Sequence, residues 1–332
     1  MTLTHHSQPM VLASIVMLSV LWGSSFIAIK IVVDEVEPLV AFGMRFFIAG
    51  ILLVATHYLV LHTIYRNRPN TPEHDRQVAI KNKRAWKTWI LSALFFIVGG
   101  QGLLALGAQY LSSGAAALIN STIPIWVAIF VLLFFKRIPT RFSIAGIIAG
   151  FAGLIILVLP TIEEGESSWI GIIFLTISSI SWAIGSLYSN PVRDSGTKQA
   201  ILLPTGMFML LGGLFLMVIS IFMGTDDISS LGVLFSSKDN VLQSFLFLTL
   251  ICTAIGYSTF YWLLESTSPS LANTFAYIVP VIAVFLGWVI LDEQITTQTI
   301  IATVVISAGV AMMMINPSFK KIDKQASNGK KG

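Results

Sequence analysis

Charge is what this chain of 332 residues has least of: 11% of its residues are Asp, Glu, Lys or Arg, against about 25% in an ordinary soluble domain. With 55% of residues apolar, a soluble fold of this length could not cover itself with water-compatible side chains. Cysteine is nearly absent as well. Cys252 stands alone, which excludes an intrachain disulfide or a cysteine-built metal site, and its place in an apolar run assigns it to packing. Polar segments long enough to fold as a separate domain are also missing. A bilayer span takes about 20 mostly apolar residues, so ten spans consume about 200. What remains suffices for tails and short connections, with no room for a folded catalytic or binding domain outside the membrane. The net charge of +4 and pI near 9.2 would raise nucleic-acid binding in a soluble protein. Here the placement of the charges gives them another meaning, and no nucleic-acid partner is expected.

What is present is a series of charge-free stretches: 1–29, 46–65, 88–135, 142–162, 167–192, 199–225, 240–264, 266–291 and 294–319. The stretch from Thr88 to Phe135 is twice the needed length and carries a turn signal at Ser112, Ser113 and Gly114, so it divides into two helices. The predicted spans are 10–33, 38–61, 88–110, 114–135, 141–159, 168–189, 201–223, 241–264, 269–291 and 295–315. The first could be taken for a secretory signal, but it lacks a basic leading region, runs too long and has no small-residue cleavage site before Asp34. It is kept as helix one. His5 and His6 are read as inert tail residues.

Lys and Arg collect in short cytoplasmic loops. With the N-terminus inside, 17 of the 20 basic residues fall on one side. They include Arg66 to Lys87 after helix two, Lys136, Arg137 and Arg141, Arg193 and Lys198, and the five lysines from Lys320 to Lys331. The opposite connections are acidic: Asp34, Glu35 and Glu37; Glu163, Glu164 and Glu166; Asp226, Asp227 and Asp239; Asp292 and Glu293. Both termini are therefore expected in the cytoplasm. A missed or surplus span would scramble this alternation.

Sliding the sequence against itself by 156 residues superposes Ser112 to Leu154 on Ser268 to Val310, matching Ser112 with Ser268, Ala116 with Ala272, Pro124 with Pro280, Thr140 with Thr296 and Gly153 with Gly309. An offset of 160 brings Ser19 and Trp22 onto Ser179 and Trp182. The repeating unit is five helices. An odd number makes the second copy inverted in the membrane, the architecture of secondary transporters whose substrate site lies at the repeat interface. The fold class expected is an all-α polytopic membrane protein of ten transmembrane helices in two inverted repeats, over 10–160 and 168–316. A basic cytoplasmic loop at 62–87 and a basic cytoplasmic tail at 317–332 complete it.

Leu21-Trp22-Gly23-Ser24-Ser25-Phe26, Met44-Arg45-Phe46, and Pro280 followed by Leu291-Asp292-Glu293-Gln294-Ile295-Thr296 give the chain its resemblance to the drug/metabolite transporter superfamily, specifically its ten-helix EamA-type members. The resemblance covers nearly the whole chain. It departs from the family pattern at Lys136-Arg137-Ile138-Pro139-Thr140, with Arg137 where the family tends to have Glu, so a structural role for that Glu is retained only at Glu293. The resemblance implies export or exchange of small metabolites, often amino acids, through a central cavity lined by helices one, three, four, six, eight and nine. Helices five and ten would lie outside, and a bacterial inner membrane is the implied location. Helix five fits that place directly: Ala145, Ala149 and Gly153, with Gly146 and Gly150, suit close helix packing.

Pro124 and Pro280 each free the carbonyl four residues earlier, at Asn120 and Ala276. In lipid such a carbonyl needs a partner or a cavity, so the prolines are candidates for helix kinks and gating, against a simple packing kink. The polar and aromatic candidates for substrate contact are Trp22, Ser24, Arg45, Gln101, Asn120, Trp182, Tyr257, Asn273 and Tyr277, with interhelical bonding as the plainer alternative. Arg45 lies about seven residues, or roughly 10 Å, into helix two. It is a functional candidate by depth, able to hold a substrate carboxylate or to snorkel and anchor helix two, with the structural role favoured.

No Asp or Glu lies deep in a span, which disfavours a permanently cationic substrate and gives no support to proton coupling through a buried carboxylate. An intramembrane enzyme would need paired aspartates, a Ser with a His, or zinc ligands. None of these is in the spans, so no catalytic residue, metal or cofactor is assigned. The function expected is alternating-access transport of a small neutral or zwitterionic metabolite such as an amino acid. A passive channel or facilitator for small polar solutes is the alternative. The partners implied are that small molecule and the lipid bilayer; an inverted repeat sets no oligomeric state.

Overall fold

The computed structural model describes residues 8–67, 83–136, 140–158, 166–188, 201–224, 232, 239–267 and 274–315. A backbone in hydrocarbon must satisfy its own hydrogen bonds, and these residues do so as helices. They are α1 (Gln8–Val33), α2 (Pro38–Asn67), α3 (Lys83–Ala108), α4 (Ser113–Asn120, then Ile123–Phe135), α5 (Arg141–Val158), α6 (Glu166–Tyr188), α7 (Leu202–Met223), α8 (Asp239–Leu246, continuing through Phe247–Ile255 and Gly256–Ser266), α9 (Thr274–Tyr277, then Val279–Leu291) and α10 (Thr297–Ile315). α1 to α4 and α6 to α8 are long and apolar enough to cross a membrane, while α5, α9 and α10 are shorter apolar helices. On α1 the exposed side chains Leu12, Val16 and Val20 recur every four residues, an apolar outer stripe that suits lipid and not water. The predicted spans match these ten helices. The largest differences are that α2 runs on to Asn67, that α3 begins at Lys83 in place of 88, and that the described part of α9 begins only at Thr274.

The internal repeat is written into the irregularities of the helices. α3 widens to π-helix at Ala93–Gly102 and α8 does so at Phe247–Ile255. α4 and α9 both break just ahead of their prolines, and the second pieces, Ile123–Phe135 and Val279–Leu291, stand 156 residues apart. Each piece ends on a left-handed residue, Lys136 (φ 50) and Asp292 (φ 53). The next helices open on matched hydroxyl caps: the Ser143 N–H donates to Thr140 Oγ1 at 3.2 Å and the Thr299 N–H to Thr296 Oγ1 at 3.1 Å.

The two repeats interlock. α1 packs on α8 and α9 of the second repeat, and α6 packs on α3 and α4 of the first. The equivalent pairs α2 with α7 and α5 with α10 also pack together. Both of these seams depend on glycine. A Cβ at Gly213 of α7 would stand 2.5 Å from Phe47 N and 2.6 Å from the Gly43 carbonyl of α2. A Cβ at Gly309 of α10 would stand 2.8 Å from the Gly146 carbonyl of α5.

One end of the bundle is tied across elements. Lys30 pairs with Asp34 at 2.9 Å and donates to the carbonyls of Ala108 and Gln109, while Gln109 Nε2 donates back to the Val33 carbonyl at 3.2 Å. The Glu293 carboxylate reaches the start of α4 and accepts from the Ser113 N–H at 2.6 Å, the Ser113 hydroxyl at 2.9 Å and the Gly114 N–H at 3.3 Å. It thus satisfies N–H groups that a helix start leaves open, where negative charge is also favoured. Gly287 makes room for it, because a side chain there would collide with Glu293 and with Ser113 Oγ. Arg137, the residue at the matching place in the first repeat, lies outside the described residues.

Candidate substrate cavity

The walls of the central site begin with two tryptophans and two glycines. Gly100 in α3 and Gly256 in α8 stand 156 residues apart, and each receives the indole of the opposite repeat's first helix. A Cβ at Gly256 would lie 2.8 Å from Trp22 Nε1, and one at Gly100 would lie 3.1 Å from Trp182 Cε3. Beside them, the π-helical stretches have carbonyls bonded from outside their own helices, as such insertions at functional sites often do. The Trp22 indole N–H donates to the Cys252 carbonyl at 3.2 Å. The hydroxyls of Ser178 and Ser181 donate to the carbonyls of Gly100 and Phe95 at 2.6 and 2.9 Å.

Between these walls is a cavity with about 100 Å³ of space for the centres of water molecules, where ~10–15 Å³ suffices for one. α1 contributes Trp22, Ser25, Phe26 and Ile29; α2 contributes Arg45; α3 contributes Gln101 and Leu104. α4 lines it with Ala117, Asn120, Ser121, Ile123 and Pro124, α6 with Trp182, α8 with Tyr257, and α9 with Phe275, Ala276 and Val279. The helices that the resemblance implied are all present, and α2 joins them through Arg45. The site keeps the repeat's symmetry in position but not in chemistry: Gln101 answers to Tyr257 and Asn120 to Ala276, each 156 residues on.

α4 meets the cavity where its first piece ends at Asn120 and its second begins at Ile123. Residues at the end of one half-helix and the start of the other, Asn120, Ser121 and Ile123, thus line the same space. Pro124 has no N–H to offer the Asn120 carbonyl.

Arg45 is 3% exposed. Its Nε donates to Thr253 Oγ1 at 2.7 Å, and its guanidinium carbon lies 4.8 and 4.7 Å from the ring centroids of Phe42 and Phe46. It does not snorkel, and its anchor is a side chain of the other repeat. Among the described residues it has no carboxylate partner, and its Nη1 is buried with no hydrogen-bond partner. Burying an unpaired ion costs several kcal/mol, of which the two rings offset about 2 kcal/mol. The Tyr257 hydroxyl is likewise buried and unpartnered. The Tyr257 ring is centred 5.4 Å from Trp22, 6.0 Å from Trp182 and 6.2 Å from Phe46. No described Asp or Glu lines the cavity.

Of the sequence candidates, Trp22, Arg45, Gln101, Asn120, Trp182 and Tyr257 are brought together, with Pro124 beside them. Pro280 is buried next to the wall residue Val279. Ser24 is turned away into a lateral groove with Asn240, Gln243 and Ser244, where its hydroxyl donates to the Val20 carbonyl at 2.7 Å. Ser25 takes the place on the wall. Asn273 lies outside the described residues, and Tyr277 is described in its backbone alone. Thr253, Phe275 and the glycine pair were not among the candidates. The repeat offset applied to Gly100 and Gly256 was the signal that could have found the glycines. Among the described residues no cluster of His, Cys, Asp and Glu could hold a metal ion.

The model of the EamA-like transporter family matches residues 10–159 and again 169–315. The chain is 32% identical over 280 residues to the uncharacterized inner membrane transporter YedA of Escherichia coli K12, covering 81% of this chain and 79% of that protein. It is 24% identical to the uncharacterized transporter YoaV of Bacillus subtilis, across 94% of this chain and 99% of that one. A solved crystal structure of a protein 15% identical superposes with a TM-score of 0.60 over 93% of this chain and 99% of the other, a likeness of fold. The chain belongs to the EamA-like transporter family, within the drug/metabolite transporter superfamily, and is a membrane transporter and not an enzyme.

Proposed function

We propose that this EamA-like transporter carries a small neutral or zwitterionic metabolite, such as an amino acid, by alternating access through the central cavity, and that it works as an exporter or exchanger. One observation carries the proposal: polar and aromatic side chains from both repeats converge, at the break in α4, on a cavity whose described wall holds no acidic side chain. A permanent cation would enter a low-dielectric site without a counter-charge, at a cost of several kcal/mol. A zwitterion finds amides at Gln101 and Asn120, the ends of two half-helices, a guanidinium at Arg45 and indole surface at Trp22 and Trp182. Asn273 and Tyr277 belong to the same candidate set, Ser24 leaves it because it faces the lateral groove, and Pro124 and Pro280 are proposed as the kinks about which access changes.

The proposed setting is the inner membrane, with both termini cytoplasmic. The name of the Escherichia coli relative supports the location, and the 17 of 20 basic residues on one side support the orientation. Purified protein in liposomes is expected to move labelled neutral amino acids and to discriminate against quaternary ammonium drugs. Efficient transport of such cations with no transport of any amino acid would overturn the proposed substrate class.

A further inference from the structure

We infer that Arg45 and Tyr257 form a carboxylate subsite, so that the transported molecule is a small monocarboxylate whose acid group is obligatory and whose amino group, where it has one, is not. The inference rests on the central cavity being the substrate site, and it recasts what that site accepts: a carboxylate is required, so monoanionic acids join the zwitterions and neutral molecules without a carboxylate drop out.

It starts from two residues that line the cavity and each carry a buried donor with no described partner. Arg45 is held fast on three sides: Nε is committed to Thr253, and the Phe42 and Phe46 rings lie close to the guanidinium. That leaves Nη1 buried with no acceptor among the described residues. The Tyr257 hydroxyl is buried without a partner too, and both residues line the same cavity. A guanidinium has only donors, and a phenol can supply one more. Buried donors left unpaired are costly, so their natural complement is an acceptor brought in from outside. Because no described carboxylate neutralises Arg45, that acceptor should carry a negative charge. A carboxylate offers two oxygens in the planar geometry a guanidinium recognises.

The remaining wall sets the other limits. Trp22, Phe26, Trp182 and Phe275 present aromatic surface to an organic body and suit a bare inorganic anion poorly. A dianion would bring a second charge, and the described lining holds no second cation. An ammonium group has no described carboxylate to meet. The amides of Gln101 and Asn120 and the hydroxyls of Ser25 and Ser121 line the cavity, and as neutral groups they accept an amino group without demanding one.

The test is calorimetric titration of the detergent-purified full chain with leucine and phenylalanine, their amides, their decarboxylated amines and their deaminated acids. The amino acids and the deaminated acids should bind within about tenfold of each other, and the amides and amines roughly a hundredfold more weakly. Arg45→Gln should lose at least about tenfold in affinity for every acid while melting no lower than the parent, since it removes an uncompensated buried charge. Tyr257→Phe should lose several-fold and keep the fold. Amides or amines that bind as tightly as the acids, or acid binding unchanged in both variants, would overturn the carboxylate subsite while leaving the cavity as the transport site. If no compound of the set bound, the substrate class proposed for the cavity would fall with it.

Discussion

A guanidinium buried at the centre of a membrane protein is tolerable because its neighbours divide the cost among them. Phe42 and Phe46 come from the same helix as Arg45, one turn back and one residue on, but Thr253 comes from 208 residues further along the chain. That separation explains what the sequence could and could not disclose. An ionisable residue at that depth stands out from composition alone, whereas nothing local marks a threonine in an apolar run as its partner. Thr253→Val should leave Nε without an acceptor and lower stability by about 1.5–3 kcal/mol, the usual worth of a hydrogen bond to a charged group. Thr253→Ser should restore it. Thermal melting of the purified variants checks both, and equal melting of all three proteins would show the bond to be dispensable. Ser24 and Ser25 teach the complementary lesson. Adjacent helical residues differ by about 100° in direction, so one faces the cavity and the other a lateral groove, and polarity alone does not choose between them.

At the scale of elements, the features that build the site are departures from the regular helix. Pro124 and Pro280 disclosed two of them, because proline removes a definite hydrogen bond at a definite place and the 156-residue offset paired them. The π-helical stretches of α3 and α8 were illegible, since their sequences, ALFFIVGGQG and FLTLICTAI, are apolar like any other span. They depend on partners in the opposite repeat, such as Ser178 for Gly100 and Trp22 for Cys252. The second piece of α4 starts at Ile123, after a turn that lets Asn120 and Ser121 onto the cavity wall. Replacing Pro124 or Pro280 with Ala returns a backbone N–H and favours one continuous helix. Transport by either variant should fall by roughly tenfold while its abundance in the membrane stays within about twofold of the parent. Parental transport rates in both variants, measured per molecule of protein, would count against a role for the kinks.

The whole molecule was the most legible scale. Ten spans and their duplication followed from charge-free stretches and two offsets, because lipid imposes length and apolarity on every span. How the halves meet was not legible. That α1 packs on α8 and α9, and α6 on α3 and α4, is set by surfaces from distant parts of the chain, including the glycine seams. Interlocking of this kind gives one cavity shared by the two repeats, an arrangement that suits the alternating access proposed above. The proposed orientation predicts that reporter fusions after Asn82, Ser195 and Ser327 register the cytoplasm, while fusions near Glu164 and Asp227 register the exterior. A single reversal within the series would break it.

Carrier and channel part company over what the far side of the membrane does to flux. A single cavity exposed alternately to each side carries one substrate per cycle, so unlabelled substrate on the far side lets the cavity return loaded, bypassing the empty return, and draws labelled substrate in. A continuous pore has no such dependence. The direct measurement is counterflow of a labelled neutral amino acid into proteoliposomes loaded with the same unlabelled compound, alongside conductance in a planar bilayer. Alternating access predicts saturable entry, accelerated by the internal pool, with no unitary conductance. Entry that rises linearly with concentration, ignores the internal pool and is accompanied by unitary current steps would contradict it.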